Sequence, residues 1–290
     1  MMVMAEVGRP ADRLVLLGTA GGPRPNPYRS SPAQVLLIGG QAHVIDCGHG
    51  VARQLVLAGV PLDTLRRVFI THHHSDHNAD FGNLVLLAWA AGLRTPVDIY
   101  GPPPLGAMRD LFLRLNAYDI QTRMADEGRV PLAPLFRVHE VRQRGVLVED
   151  EQVRVTATLV DHPPVTPAFA YRFDTRTRAV VISGDTTYCP SLIDLAQGAD
   201  VLVHEALYPP ALDRLAARVP NAPRLRAHFE ARHTRVEDAG RAAAAAGVQT
   251  LVLSHFVPPD DPTVTDAMWR EGARACFAGE VIVGHDLLVL

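Results

Sequence analysis

The sequence predicts a layered α/β fold in which two β-sheets are covered by helices. Short apolar runs rich in β-branched residues alternate with segments of helical periodicity along the whole chain. No linker-like change of composition and no repeat of fixed period divides the sequence. With 290 residues, 48% of them hydrophobic, the chain can bury a sizeable core without disulfides. We therefore expect one domain over residues 13–290, preceded by a flexible N-terminus at 1–12.

Turn residues and apolar runs mark the individual elements in order. Gly39-Gly40 joins two apolar runs as a hairpin, and Gly59 marks the end of a helix that begins at Val51. The run from Val68 to Ile70 is short, apolar and β-branched, which indicates a buried strand. The predicted strands are 13–17, 35–38, 43–46, 68–70, 97–100, 153–159, 169–173, 180–183, 201–204, 251–254 and 281–290, and the predicted helices are 51–59, 81–92, 207–218, 236–246 and 266–277.

A further helical segment is predicted inside an insertion around 101–145. The spacing of Leu105, Met108 and Phe112 is helical, whereas Pro131 and Pro134 indicate irregular chain up to about residue 135. This amphipathic helix could cap an active site, form a dimer surface or simply pack onto the sheet.

Composition excludes several classes of function. All 28 basic residues are arginine, so catalysis through a lysine Schiff base or a P-loop lysine is impossible. The net charge of −3 argues against a dedicated nucleic-acid binder. The three cysteines are widely spaced, which is typical of a reducing compartment. The sequence shows neither a signal-peptide pattern nor an apolar run of membrane length, so we predict a cytoplasmic protein with no membrane partner.

A dense group of potential metal ligands follows the predicted strand at 68–70. Because alternate residues of an extended chain point the same way, His72 and His74 can reach one metal ion together. Asp76 and His77 lie where the next helix begins and face a neighbouring point. Four imidazole and carboxylate ligands within six residues suit Zn²⁺.

Three more candidate ligands each follow a predicted strand, namely His162, Asp185 and His255. A lone histidine after a strand is usually structural, but the joint occurrence of these residues with the histidine motif predicts a dinuclear metal site. Asp185 is the natural bridging carboxylate, and ligands at strand ends suit a rigid site.

The order of these motifs resembles that of the metallo-β-lactamase superfamily, and within it the ribonuclease Z-like group. The His72-x-His74-x-Asp76-His77 element is strongly specific, whereas the shorter pieces are informative only as a series. The similar flanking segments are Asp46-Cys47-Gly48-His49-Gly50, Asp161-His162, Gly184-Asp185-Thr186, His204-Glu205-Ala206-Leu207, His233-Thr234 and Leu253-Ser254-His255-Phe256.

The resemblance implies a four-layer αββα sandwich that holds two divalent metal ions at one edge of its sheets. Zn²⁺ is the expected metal, with Mn²⁺ and iron as alternatives. A hydroxide that bridges the metals would be the nucleophile, and Asp76 would orient it or accept its proton. The implied ligands are His72, His74, His162 and Asp185 for the first metal, and Asp76, His77, Asp185 and His255 for the second.

The resemblance also implies that His233, oriented by Glu205, protonates the leaving group. The alternatives are that Glu205 is a helix-start carboxylate and that His233 is an exposed neighbour of a helix cap. For His204, a hydrogen bond to a ligand and a buried structural role remain equally open. His49 stands where the group often has an acidic residue, so its role is open, and His73 alternates away from the ligands and should be structural.

The sequence departs from ribonuclease Z proper, which carries a long, basic arm that grips transfer RNA between the third histidine and the bridging aspartate. Here only 23 positions separate His162 from Asp185. Together with the acidic net charge, this spacing argues against transfer RNA as a partner.

The predicted function is hydrolysis of a phosphodiester in a small or nucleotide-like ester substrate. The alternative is arylsulfatase, lactonase or β-lactamase activity at the same site, with nucleic-acid processing ranked behind these. A redox role is disfavoured because diiron redox members usually have a glutamate at the position of His74, and a non-catalytic nucleic-acid-binding module would leave the ligand set unexplained. The substrate pocket is expected at 188–190, 207–210 and 220–226, and the resemblance implies a homodimer.

Overall fold

The computed structural model describes residues 12–219 and 221–290, so the predicted flexible segment 1–12 lies almost wholly outside the described residues. In the described chain, fourteen strands form two sheets of seven strands each. The strands are β1 Arg13–Gly18, β2 Ala33–Ile38, β3 Gln41–Ile45, β4 Leu65–Phe69, β5 Val97–Gly101, β6 Phe136–Glu140, β7 Gly145–Glu149, β8 Val153–Leu159, β9 Phe169–Thr175, β10 Ala179–Ile182, β11 Val201–Leu207, β12 Thr250–Val257, β13 Glu280–Val283 and β14 Leu288–Val289.

Ten α-helices accompany these strands in the described residues. They are α1 Val51–Leu57, α2 Ser75–Asn78, α3 Phe81–Ala90, α4 Leu105–Leu115, α5 Ala117–Glu127, α6 Pro190–Ala196, α7 Leu212–Ala217, α8 Leu225–Arg232, α9 Val236–Ala246 and α10 Asp266–Arg274. None of the described helices is long and apolar enough to cross a membrane.

Both sheets contain parallel and antiparallel strands, and the loops that follow the parallel strands lie at a common edge. The first sheet has the order β14-β1-β2-β3-β4-β5-β6, in which β3 to β6 are parallel. The second has the order β13-β12-β11-β10-β9-β8-β7, in which β13 to β10 are parallel. Loops that follow parallel strands meet at their carboxyl ends, which is where binding sites form in such sheets.

Three apolar clusters hold four layers together. One lies between the sheets and includes Phe69, Phe169 and Phe173. The second packs α1, α3 and α4 against the outer face of the first sheet, and the third packs α6, α9 and α10 against the second sheet. Because β2 and β11 are covered on both faces, every residue in them is buried. The implied four-layer αββα sandwich is therefore confirmed.

The insertion around 101–145 and some element boundaries differ from the prediction. The segment predicted to be irregular up to residue 135 contains the eleven-residue helix α5, and Pro131 and Pro134 follow this helix rather than interrupt it. Residue 207 still belongs to β11, so the helix predicted from 207 begins at 212. Phe112 of α4 packs toward Phe136 of β6, with ring centroids 6.4 Å apart, so this helix lies on the first sheet.

The turn between β10 and α6 fixes the predicted bridging residue Asp185. Gly184 has φ +60°, which favours glycine, and a Cβ added there would lie 2.7 Å from the carbonyl oxygen of Phe169. The Cβ would also come within 3.1 Å of the Thr71 Cβ. Only glycine therefore lets this turn lie flat against β9 and the loop after β4.

Replacing Gly184 by alanine should destabilise the protein more than the same change at Gly198. Gly198 has φ +62° but open space around an added Cβ, so Gly198→Ala should cost about 1 kcal/mol of unfolding free energy. Gly184→Ala adds a clash with backbone and should cost about 2–4 kcal/mol. Urea unfolding of both variants under the same metal conditions measures this difference. Equal losses in the two variants would show that the tight packing at Gly184 is unimportant.

Candidate metal centre

Loops at the carboxyl ends of several strands bring all the predicted ligands together. His72 and His74 follow β4, and Asp76 and His77 lie in α2, the single helical turn that comes next. His162 follows β8 and Asp185 follows β10. His255 lies near the end of β12, where the register with β11 shifts, and has φ +44°. Such a backbone conformation is uncommon outside glycine and is found where a side chain must be aimed.

The first group of ligand atoms surrounds a single point. Nδ1 of His74 lies 3.0 Å from Nε2 of His72 and 3.3 Å from Nε2 of His162. Oδ2 of Asp185 lies 3.9 Å from both Nε2 atoms. Two nitrogens bound tetrahedrally to one Zn²⁺ are about 3.3 Å apart. The four side chains therefore fit one tetrahedral cation.

The second group lies on the other side of Asp185. Nε2 of His77 lies 3.2 Å from Nε2 of His255, and Oδ2 of Asp76 lies 3.6 and 3.5 Å from these two nitrogens. Oδ1 of Asp185 lies 3.3 Å from each of them. Asp185 thus presents one oxygen to each group, which is the arrangement of a bridging carboxylate.

Protonation states in the first ligand group suit metal binding. Burial lowers the pKa of His72, His74 and His162, so these imidazoles are neutral and can offer lone pairs. Neutral imidazoles and ionised carboxylates are the forms that bind divalent metals.

In the second group, Asp76 is in the form that binds metals, whereas His77 is not. Burial would raise the pKa of Asp76, but the charge of His77 and a hydrogen bond from His255 lower it to about 2. Burial opposes protonation of His77, but the charges of Asp185 and Asp46 raise its pKa well above the usual range, so a metal ion would have to displace its proton.

Residues behind the ligands hold them in orientation. Oδ2 of Asp46 lies 2.7 Å from Nδ1 of His77, and Asp46 also accepts hydrogen bonds from the backbone N–H and the hydroxyl of Thr71. Nδ1 of His162 lies 3.0 Å from the carbonyl oxygen of Arg232. Such partners fix which ring nitrogen faces the metal. The motif around Asp46 did not indicate this role, although the position of Asp46 directly after the buried strand β3 was a signal for it.

His233 and Glu205 form a buried pair beside the second group. Nδ1 of His233 lies 2.7 Å from Oε2 of Glu205, and Oε1 of Glu205 accepts the backbone N–H of Thr186 at 2.6 Å. Burial opposes protonation of His233, but the charge of Glu205 and its hydrogen bond raise the pKa of His233 to about 9. The ring of His233 stacks 5.7 Å from that of His255. A protonated imidazole next to the ligand cluster can donate a proton.

The other histidines singled out by the sequence divide into three cases. His73 bonds to the carbonyl oxygen of Pro102 and to Asn78, as expected for a structural residue. His204 is buried, and its Nδ1 bonds to the carbonyl oxygen of Glu205 at 2.8 Å, which is the buried structural alternative. His49 is exposed and lines a separate surface cleft.

A cavity of about 260 Å³ opens onto both ligand groups. Of the three segments predicted to form the pocket, only 220–226 contributes to its lining, through Leu225, so the prediction was wrong for 188–190 and 207–210. Helix α8, which the sequence analysis missed, forms one wall. The lining residues are Gly22, Pro23, His74, Ser75, Asp76, Asp185, Leu225, His228, Phe229, His233 and His255.

Comparison with known proteins places the chain in a family. The model of the beta-lactamase superfamily domain matches residues 43–256. The Ribonuclease Z of Mycobacterium bovis is 34% identical over 277 residues, which cover 94% of this chain and 96% of that protein.

Two solved structures share the fold. The metallo-beta-lactamase fold protein YhfI from Bacillus subtilis has a TM-score of 0.70 at 22% identity, and the short form of human tRNase Z has a TM-score of 0.71 at 23% identity. Each comparison covers 96% of this chain and 98% of the other.

The family match and the full-length relatives agree with the ligand geometry. The family model spans most of the chain, and the mycobacterial relative matches 94% of it rather than one motif. The chain therefore belongs to the metallo-β-lactamase superfamily of metal-dependent hydrolases and, within it, to the ribonuclease Z-like group.

Proposed function

We propose that this protein hydrolyses phosphodiesters with two divalent metal ions. One ion would be held by His72, His74, His162 and Asp185, and the other by Asp76, His77, Asp185 and His255. The observation that carries the proposal is that Asp185 faces both ligand groups and that these groups open, together with His233, into one cavity. Zn²⁺ is the proposed metal because imidazole and carboxylate ligands at these separations suit it.

The metals and the protein would divide the chemistry between them. When bound, the two ions would lower the pKa of a water molecule to near neutral and would neutralise charge on the attacking and leaving oxygens. Asp76 is fixed by the backbone N–H of Gly22, which bonds to its Oδ2 at 3.0 Å. This carboxylate lines the cavity and is placed to orient the attacking water and accept its proton.

His233 is the proposed general acid, and Glu205 is the residue that positions it. The Glu205 carboxylate stabilises the protonated imidazole and fixes Nδ1 as its donor, so Nε2 is the nitrogen left for the leaving group. Phe229 packs against His233 with ring centroids 5.4 Å apart, which limits the water that reaches the ring.

Two classes of phosphodiester substrate, which differ in size, are candidates for this site. We keep a small or nucleotide-like phosphodiester as the first candidate and RNA, including transfer RNA, as the second. The name of the mycobacterial relatives favours the second candidate. The prediction that transfer RNA is not a partner has no support and is partly at odds with the name Ribonuclease Z of a relative that matches 94% of this chain.

We also propose that the protein is a cytoplasmic homodimer. Leu115 and Tyr118, at the junction of α4 and α5, are 81% and 85% exposed, and Leu111 beside them is 57% exposed. An apolar patch of this kind suits contact with a second copy. Light scattering measures the mass of the purified protein and of Leu115→Asp. We expect a dimer for the wild type and a monomer for the variant, and a variant that is still a dimer would have its interface elsewhere.

Removal of the shared carboxylate should reduce metal binding at both positions. Wild-type protein loaded with Zn²⁺ and freed of excess metal should retain two ions per chain, and Asp185→Asn should retain one or fewer because the amide loses the charge facing both groups. Metal analysis by mass spectrometry gives the count. His285→Ala, an exposed histidine outside the cluster, is the control and should retain both ions. Two tightly held ions in Asp185→Asn would contradict the shared role.

The acid role of His233 should depend on the leaving group. Loss of a general acid costs about 10²- to 10⁴-fold when the leaving group is poor and much less when it is good. We expect His233→Ala to lose that factor in kcat with a dinucleoside phosphate, and less than about 10-fold with bis(4-nitrophenyl) phosphate.

Three outcomes decide between the possibilities. Equal losses of His233→Ala with the two diesters would exclude the acid role. If metal-loaded wild-type protein cleaves neither diester but cleaves precursor transfer RNA, RNA is the substrate class. Failure with all three would reject phosphodiester hydrolysis.

A further inference from the structure

The carboxyl end of α8 is fastened over the metal centre by a single residue, Arg232. Its carbonyl oxygen bonds to Nδ1 of His162, and its Nε donates to the carbonyl oxygen of Pro163. Its Nη1 lies 2.6 Å from Nδ1 of His228, one turn earlier in the helix. Arg232 therefore fixes the position of the side chain at 228 relative to a proposed metal ligand.

The contact with Arg232 also decides which nitrogen of His228 carries the proton. A guanidinium group only donates hydrogen bonds, so Nδ1 of His228 must accept. A neutral imidazole that accepts at Nδ1 carries its hydrogen on Nε2. Burial and the charge of Arg232 lower the pKa of His228 to about 4, so the ring is neutral at pH 7. His228 is thus a fixed Nε2–H donor rather than a cation.

His228 lies where a bound substrate would pass. It lines the catalytic cavity together with His74, Asp76 and His233, and its ring centroid lies 6.2 Å from that of His233. His228 and Leu225 also line a groove of about 580 Å³ that runs along α8. Among the described residues, Nε2 of His228 has no hydrogen-bond partner, and the ring is only half-buried.

We propose that His228 is a substrate-binding residue whose Nε2–H donates a hydrogen bond to an anionic oxygen of a phosphate group held in the cavity. The proposal rests on the proposed phosphodiesterase function and assigns a ligand-contacting residue beyond the metal ligands and the His233–Glu205 pair. Arg232 is a positioning residue that acts through His228. Because Nδ1 of His228 accepts from Arg232 and Nε2 carries the hydrogen, neither nitrogen offers a free lone pair to a metal ion, so the ring is available to donate.

Binding of inorganic phosphate to the Zn²⁺-loaded protein tests this without any turnover. A hydrogen bond to a charged group corresponds to about 10-fold in affinity. In calorimetric titrations, His228→Leu should bind phosphate about 10-fold more weakly than wild type. His228→Gln, which keeps an N–H near the same place, should stay within about 3-fold. Equal affinities of wild type and His228→Leu, or equal losses in the two variants, would overturn the proposal.

A measurement on the wild type alone covers the case in which a variant folds poorly. In ¹H–¹⁵N spectra of the histidine side chains, His228 should show a protonated Nε2 and an unprotonated Nδ1. The Nε2–H signal should shift on addition of phosphate, and the signal of exposed His285 should not. A proton on Nδ1, or a His228 signal that phosphate leaves unchanged, would reject the assignment.

Steady-state kinetics separates a failure of this inference from a failure of the proposed function. With bis(4-nitrophenyl) phosphate, His228→Leu should raise KM about 10-fold and leave kcat within about 3-fold. Turnover by wild type with unchanged KM in the variant would reject only the role of His228. Absence of turnover by wild type with both diesters and with precursor transfer RNA would reject the proposed function, and the phosphate titration would then still decide whether His228 binds phosphate.

Discussion

The contact of the Asp185 carboxylate with both groups of histidines is the interaction on which the rest of the site depends. The carboxylate is buried between two groups of histidines whose ring nitrogens face each other at 3.0–3.3 Å. Facing lone pairs or protons at such distances repel each other unless an anion or a metal lies between them. Burial would raise the pKa of Asp185, but the charges of His255 and His77 hold it well below its usual range. The tight turn at Gly184 and the parallel edge of the second sheet place this charge.

The core of the site was predictable because its ligands are encoded locally. His72, His74, Asp76 and His77 lie within six residues, and the alternation of an extended chain followed by one helical turn determines where they point. His162, Asp185 and His255 required a different argument, that loops after strands meet at one edge. The donors that hold the ligands were not predictable in this way. The contact between Arg232 and His162 spans 70 positions, and no local pattern indicates it.

The fold was predictable where burial creates a clear pattern and was missed where exposure removes it. Strands β2, β10 and β11 are buried along almost their whole length, so their sequences are mainly apolar, interrupted only by Gln34 in β2 and by His204 and Glu205 in β11. Helix α5 buries only Ile120, and α8 buries none of its residues fully, so neither shows an apolar stripe of helical period. Strands β6 and β7 lie at sheet edges and most of their residues are exposed, so neither is an apolar run along its whole length and neither was predicted.

Helix α8 combines two kinds of contact that constrain its sequence differently. The bond from His162 goes to the backbone carbonyl of Arg232, so it would survive any side chain that keeps the helix. The donor toward the substrate depends on the side chain at 228 and on the guanidinium that fixes its tautomer. The residues proposed as metal ligands, in contrast, would be tied to one another through the ions that they share. Substrate preference on this scaffold can therefore change at positions 228 and 232 while the metal centre and the His233–Glu205 pair keep their geometry.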